Sequence, residues 1–134
     1  MEHRLSLERI AQARTTVDPV FLHTPQFVSE PKSDLLGLRL VVKIETLNPI
    51  RSFKGRGADF YIQRQAAASQ RGPIVCASAG NFGQAMTYAG HARNIPVTVY
   101  AAERANPLKV ERMRPSAPKS ARPWSCGSRR LLPG

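Results

Sequence analysis

A cluster of cations opens a predicted helix within residues 49–60, which read PIRSFKGRGADF. Helix starts prefer acidic residues, because the helix dipole is positive there. Lys54 instead lies between Arg51 and Arg56, and this environment discourages it from holding its proton. A deprotonated lysine is a nucleophile that bonds covalently to carbonyl compounds. The spacing therefore predicts a reactive amine at Lys54, in a turn that attracts an anionic aldehyde.

Two glycines, Gly55 and Gly57, follow Lys54 in the sequence. Glycine in a helix costs about 1 kcal/mol relative to alanine, so we expect these two to leave room for a bulky cofactor ring. A dinucleotide-binding GxGxxG motif is excluded because residue 60 is Phe, and the phosphate-binding P-loop pattern is absent. A tight basic turn without a ligand is the alternative interpretation.

A second stretch, Ser-Ala-Gly-Asn-Phe-Gly at residues 78–83, follows a predicted strand and opens a predicted helix. Backbone N–H groups at such a junction point towards a ligand outside the carboxyl end of the sheet. A capped turn without a ligand is the alternative. Both stretches begin helices of one predicted layer, so we expect both to face one anionic ligand.

The elements that must position these stretches alternate between strands and helices, which predicts an α/β fold with a parallel sheet and right-handed crossovers. An N-terminal helix is predicted at 4–14 with Leu7, Ile10 and Ala11 on one face, and Gly37 ends a short helix. The remaining elements are strands at 38–45, 73–79 and 96–102 and helices at 52–70, 82–93 and 106–114. The strand at 73–79 is expected to be buried.

The first stretch belongs to a longer pattern, Lys43-x-Glu45-x-x-Asn48-Pro49-x-x-Ser52-Phe53-Lys54-x-Arg56-Gly57-Ala58. This pattern resembles the lysine motif of fold-type II pyridoxal-phosphate enzymes, and its Ser-Phe-Lys-x-Arg-Gly-Ala form looks most like the threonine/serine dehydratase and serine racemase branch. Residues 78–84 resemble the substrate-carboxylate loop of that family, and residues 106–114 resemble its next helix. The resemblance covers residues 15–114 and implies a three-layer parallel-sheet fold, tryptophan synthase beta-like, here incomplete.

The resemblance also implies roles for individual residues. Lys54 would hold pyridoxal 5'-phosphate covalently and move protons at the substrate Cα, while Phe53 would pack beside the cofactor ring. Asn81 would hydrogen-bond the oxygen on the ring. The substrate carboxylate would lie in a cradle formed by Ser78, Ala79, Gly80, Asn81 and Phe82. Many dehydratases have His where Phe82 stands.

The reaction implied by the resemblance removes the β-hydroxyl of serine or threonine as water and gives a 2-oxo acid and ammonia. The substrate would be a small amino acid, and a homo-oligomer is open for full-length members of the family. Three alternatives stay open: racemisation, β-replacement on the same fold, and a non-catalytic basic binding fragment.

The last twenty residues depart from this pattern. Residues 115–134 hold four prolines and four cations with no acidic residue, and the family's glycine-rich phosphate loop is missing from the sequence. We therefore expect residues 1–114 to form the N-terminal part of the enzyme fold and residues 115–134 to be a disordered, non-matching tail. The chain is expected to be a truncated member of its family, inactive alone.

Composition limits the classes of binding partner that we expect for this protein. The formal net charge is +11, but the cations are dispersed and no nucleic-acid-binding signature is present, so we expect no nucleic-acid partner. Cys76 and Cys126 form no CxxC pair, and we expect neither a disulfide framework nor a metal site. Because the sequence has no signal-peptide pattern and no transmembrane run, we expect a cytoplasmic protein without a membrane partner.

Overall fold

The computed structural model describes residues 6–67 and 72–114, so the end of the helix predicted at 52–70 and the predicted tail at 115–134 lie outside the described residues. Within these two ranges the strands are β1 Gln26–Val28, β2 Val41–Lys43, β3 Ile74–Ala77 and β4 Val97–Tyr100. The helices of the same ranges are α1 Leu7–Thr16, α2 Glu30–Leu36, α3 Lys54–Ala67, α4 Asn81–Ala92 and α5 Pro107–Met113. Short 3₁₀ turns occupy Pro19–Phe21 and Glu45–Leu47.

The parallel sheet predicted from the α/β alternation is present as the pair β3–β4, in a register that joins Ile74 to Val97 and Ala77 to Tyr100. Helix α4 connects the two strands and packs on β4, and both α3 and α5 pack against α4. The core between these elements is apolar, as a helix layer on a sheet requires. Its buried members are Val17, Phe21, Ile50, Ala58, Ile62, Ala85, Met86, Ala89 and Ile95.

The prediction for the strand at 38–45 is wrong in length and in partner. Only β2 is extended, and it pairs antiparallel with β1, which the sequence did not predict, in a sheet separate from β3–β4. The chain leaves β2 early because Glu45 begins a 3₁₀ turn, in which its carboxylate accepts hydrogen bonds from Thr24 and Asn48. Side-chain contacts therefore override the apolar run as the determinant of where the strand ends.

Helix ends follow the capping residues closely. Gly37 ends α2 at a φ of 63°, in the left-handed region, and Asn94 follows α4 at a φ of 53°. The Asn106 side chain accepts from the Leu108 N–H at the start of α5, and the Ser52 hydroxyl accepts from the Lys54 N–H at the start of α3. The helix end predicted at Gly37 is confirmed, and side chains or backbone at the other three positions mark helix ends near the predicted bounds.

Two predicted apolar surfaces are less buried than expected. Leu7 and Ile10 of α1 are 80% and 56% exposed, and no residue of α1 is buried. Strand β3 was expected to be buried on both faces, but its residues alternate and Val75 is 62% exposed. In the described part of the chain, helices cover one face of this sheet, so the other face is open to solvent.

Candidate active site

The turn that leads into α3 is built around the side chain of Asn48, which is 4% exposed. Its Oδ1 accepts from the N–H groups of Ile50 and Ser52, each at 3.2 Å. Its Nδ2 donates to the Ser52 carbonyl at 3.0 Å and to Glu45 Oε2 at 3.2 Å. The amide thus replaces the backbone hydrogen bonds that a regular element would supply.

Lys54 is the first residue of α3, directly after this turn. Its Nζ lies 4.9 Å from the centroid of the Phe53 ring, and Phe53 itself is 59% exposed. A cation over an aromatic face is a favourable contact, so the neighbouring ring stabilises this position of the amine. The predicted neighbours Phe53 and Lys54 therefore form one unit at the helix start.

Arg56 does not belong to the cationic site predicted from the sequence. Its guanidinium forms an ion pair with Glu45, and its Nε donates to the Phe21 carbonyl at 2.8 Å. The arginine is used to tie α3 to the segment before β1, because its planar fork can satisfy a carboxylate and a carbonyl together. Its charge is neutralised by Glu45, so Arg56 is a structural residue.

Gly55 and Gly57, the two glycines that follow Lys54, have different surroundings. A Cβ on Gly55 would collide with the ring of buried Phe21, so this glycine permits close packing and gives no space to a ligand. The prediction for Gly55 is therefore wrong. A Cβ on Gly57 would meet no atom within 4 Å, and Gly57 lines an open cavity. The space predicted beside Lys54 is present at Gly57.

That cavity has a volume of about 610 Å³ and lies between α3, β3 and the start of α4. Three predicted site residues, Phe53, Lys54 and Phe82, line it together. The sequence did not predict its other lining residues, which are Ala58, Tyr61, Ile74, Val75, Cys76 and Met86. The signal was present for some of them, because positions 54, 57, 58 and 61 fall on one face of a helix.

The stretch at 78–83 leads into the cavity through its aromatic residue only, since Ser78, Ala79, Gly80 and Asn81 are not lining residues of it. Here the Ser78 hydroxyl accepts from the Gly80 N–H at 3.2 Å. Gly80 is the N-cap of α4, so Asn81 and Phe82 contribute amides to the first turn, where N–H groups have no carbonyl within the helix. These amides suit an anion.

Gly83 holds this stretch close to the rest of the fold. A Cβ there would lie 2.5 Å from the Ser78 carbonyl oxygen and 3.1 Å from both Met113 Sδ and Val99 Cγ1. The missing side chain lets the first turn of α4 pack against the loop before it, against α5 and against β4. Glycine is therefore required at this position for a packing reason.

Cys76 contributes a thiol to the cavity wall from β3. Burial raises the pKa of this thiol, because a desolvated thiolate is disfavoured. The thiol is free. It is a neutral wall residue at ordinary pH and gives a chemical probe inside the cavity.

Residues 17–116 match the family described as pyridoxal-phosphate dependent enzyme. Because this match spans well over half of the 134 residues, the chain belongs to the family of pyridoxal-phosphate dependent enzymes. Membership, and pyridoxal phosphate as the cofactor of the family, were predicted from the two motifs and are confirmed.

Curated relatives agree with the predicted branch. A biosynthetic L-threonine dehydratase of Halalkalibacterium halodurans is 30% identical over 111 residues, which are 83% of this chain and 27% of the relative. A human serine dehydratase-like protein is 33% identical over 97 residues, which are 72% of this chain and 29% of the relative. The chain thus spans less than a third of the length of these two relatives.

Solved structures confirm the fold class. A pyridoxal 5'-phosphate-dependent aspartate racemase superposes with a TM-score of 0.69 at 24% identity, covering 84% of this chain and 36% of that one. A serine racemase of Dictyostelium discoideum superposes with a TM-score of 0.65 at 28% identity, covering 81% of this chain and 36% of that one. The described residues contain no helix with the length and hydropathy needed to cross a membrane.

Proposed function

We propose that this chain carries the lysine-bearing part of a pyridoxal-phosphate-dependent dehydratase, which removes water from serine or threonine to give a 2-oxo acid and ammonia. The observation that carries the proposal is that Lys54 of the first motif and Phe82 of the second line one cavity. Dehydratases among the relatives support the reaction class. A cytoplasmic location is part of the proposal, because it suits an enzyme of amino-acid metabolism.

The described residues fit the aldehyde and the ring of the cofactor. The cavity offers an amine at Lys54, aromatic walls at Phe53 and Phe82, and open space at Gly57. A flat ring packs well on such walls. The phosphate needs a cup of converging N–H groups, and the sequence has no glycine-rich loop of the kind that the family uses. The fit thus extends over the reactive end of the cofactor.

When bound, the cofactor supplies an electron sink for the negative charge that develops at the substrate Cα. In this proposal Lys54 holds the cofactor by its aldehyde and moves the proton at that carbon. Amides in the first turn of α4, with Ser78, Ala79, Gly80 and Asn81 around them, bind the substrate carboxylate. Asn81 also hydrogen-bonds the oxygen on the ring. Phe53 packs beside the cofactor ring, and Phe82 belongs to the carboxylate cradle.

The proposal is tested by adding pyridoxal phosphate to the purified protein, reducing with borohydride and mapping the modified lysine by mass spectrometry. We expect the pyridoxyl group on the Lys54 peptide, no adduct there in Lys54→Ala, and little on the Lys109 peptide. As an independent readout, cofactor should slow the alkylation of Cys76 in a Cys126→Ser background. Equal labelling of Lys54 and Lys109, with no protection of Cys76, contradicts the proposal.

Amino-acid racemisation is the second candidate, favoured by the 28% identity to the Dictyostelium serine racemase. The two reactions share proton removal at Cα, and they differ in whether the β-hydroxyl leaves. Incubating the cofactor-loaded protein with L-serine separates them. Release of ammonia and a 2-oxo acid supports the dehydratase, and appearance of D-serine without ammonia supports the racemase.

A further inference from the structure

The four hydrogen bonds of the Asn48 carboxamide use its full capacity. A carboxamide offers two N–H donors and an oxygen with two lone pairs. In this turn Oδ1 accepts from two backbone amides, and Nδ2 donates to one backbone carbonyl and to Glu45. A buried amide that is fully satisfied in this way has one orientation, because any rotation leaves buried polar groups without partners.

The backbone that Asn48 holds is also supported by the buried side chain of Ile50 and by the Arg51 N–H, which donates to the Asn48 carbonyl at 2.9 Å. Pro49 has no N–H to donate, and Arg51 has a φ of 53°, a left-handed conformation that L-residues disfavour. Lys54 follows two residues after Ser52, whose N–H and carbonyl are both bound by Asn48. The Asn48 carboxamide therefore binds both backbone polar groups of Ser52, the residue from which the chain enters α3.

We propose that Asn48 is a positioning residue for Lys54. Its carboxamide fixes the turn that precedes α3, and this turn sets the position of Lys54 at the first residue of the helix. This inference rests on the proposed function, in which Lys54 bonds to the cofactor. The Lys54 side chain is exposed and long, so the direction of its Cα–Cβ bond decides where its Nζ can reach. Misplacing a reacting group by about 1 Å can reduce a rate by about a hundredfold.

The first experiment compares Asn48→Ala with Ser33→Ala in the borohydride mapping described above. Ser33→Ala is the matched control, because the Ser33 hydroxyl also makes two hydrogen bonds, to Ser29 and Leu40, in the distant α2 segment. We expect Asn48→Ala to lower the Lys54-to-Lys109 labelling ratio by about tenfold or more, and Ser33→Ala to leave it unchanged. An unchanged ratio in Asn48→Ala overturns the inference.

A rescue experiment separates positioning from general weakening. Asn48→Asp keeps the acceptor for Ile50 and Ser52 but sets a second carboxylate against Glu45, so the labelling ratio should fall. Adding Glu45→Gln to the same chain returns an amide donor to the pair and removes the repulsion. We expect the double variant to recover labelling above Asn48→Asp. The inference is contradicted if the double variant does not recover labelling although its melting temperature equals that of Asn48→Asp.

A ligand-free measurement keeps the inference testable if the wild type shows no preference for Lys54, which would reject the proposed function. Hydrogen exchange of the Ile50 and Ser52 amides reports the turn directly. We expect Asn48→Ala to accelerate both by about tenfold over Ser33→Ala, since each loses its acceptor. Equal exchange rates in the two variants reject Asn48 as the residue that fixes the turn.

Discussion

Glycines that are neighbours in sequence serve opposite sides of one helix. Gly55 faces the buried ring of Phe21, and Gly57 faces the open cavity. The distinction is invisible in the sequence, where both glycines lie next to cations and both can be assigned to a ligand. It follows from the geometry of α3, whose successive residues point about 100° apart. One glycine is therefore an architectural requirement and the other leaves space.

Alanine substitutions should separate the two. Gly55→Ala should lower the free energy of unfolding by about 2 kcal/mol, because the new methyl group overpacks the Phe21 contact. Gly57→Ala should raise it by about 0.5–1 kcal/mol, because alanine is the better helix former and has open space here. Urea denaturation of both variants checks this, and shifts of the same sign would contradict it.

At the same scale, the sequence predicted that certain residues lie near one another better than it predicted their hydrogen-bond and ion-pair partners. Phe53, Lys54 and Phe82 do share a cavity, because their motifs begin two helices of one layer. The prediction that Arg56 belongs to a cationic site beside Lys54 was wrong. Its ion-pair partner Glu45 lies eleven positions away, and nothing in the local pattern joins the two residues. The part played by Asn48 was missed because three of its four partners are backbone atoms, which have no sequence signal.

Among the elements, α3 is held by a buried carboxylate as well as by apolar packing. Asp59 is 1% exposed, its Oδ1 accepts from Arg93 Nη1 at 2.6 Å, and its Oδ2 accepts from the Asp18 N–H at 2.8 Å. One side chain thus ties α3 to the end of α4 and to the turn that carries Phe21. Buried ions persist where such partners compensate for lost water.

Removing this carboxylate should be far more costly than removing an exposed one. Asp59→Ala leaves Arg93 without its partner and should destabilise the fold by about 3 kcal/mol or more. Glu111→Ala breaks the exposed pair with Arg114 and should change stability by less than about 1 kcal/mol. Thermal or urea unfolding of the two variants measures the difference, and equal losses would reject the assignment.

The junction of β3 and α4 depends on a second glycine contact. Gly83→Ala should destabilise the fold by about 1–3 kcal/mol, because its Cβ meets the Ser78 carbonyl, Met113 and Val99. Gly80→Ala in the same loop is the control, since the nearest atom to its Cβ is Ser78 Oγ at 4.0 Å. Calorimetry of both variants tests this, and a larger loss for Gly80→Ala would be the contrary result.

Helices were easier to predict than strands for a physical reason. Caps such as Gly37 and Asn106 act on residues within one turn, so the sequence near a helix end contains the relevant information. Strands need partners from elsewhere in the chain. The pairing of β1 with β2 depends on contacts across more than ten residues, and neither strand exceeds three residues.

At the scale of the whole molecule, several of the exposed apolar side chains in the described part of the chain meet at the cavity. Phe53, Tyr61, Val75 and Phe82 are each more than 40% exposed, and all four line the cavity. Contiguous apolar surface of this kind favours association in water. The charged surface of the rest of the chain, with a net charge of +11, opposes it.

A charge on this surface should improve behaviour in solution without loss of stability. Val75→Lys should reduce concentration-dependent association, because Val75 is 62% exposed on β3 and its replacement interrupts the apolar surface. The control is Ile74→Lys, which should unfold the protein, because Ile74 packs against the core. Light scattering against concentration, with circular dichroism, distinguishes the two. Unchanged association in Val75→Lys would contradict the prediction.

The turn around Asn48 has a consequence for the order of folding events. Its hydrogen bonds join residues at most four positions apart, so closing it costs little chain entropy, and loops of about ten residues already close within about 100 ns. The Gly55–Phe21 contact joins residues more than thirty positions apart and must form later. The nascent chain can therefore form the turn that precedes Lys54 before the helix layer behind it has assembled.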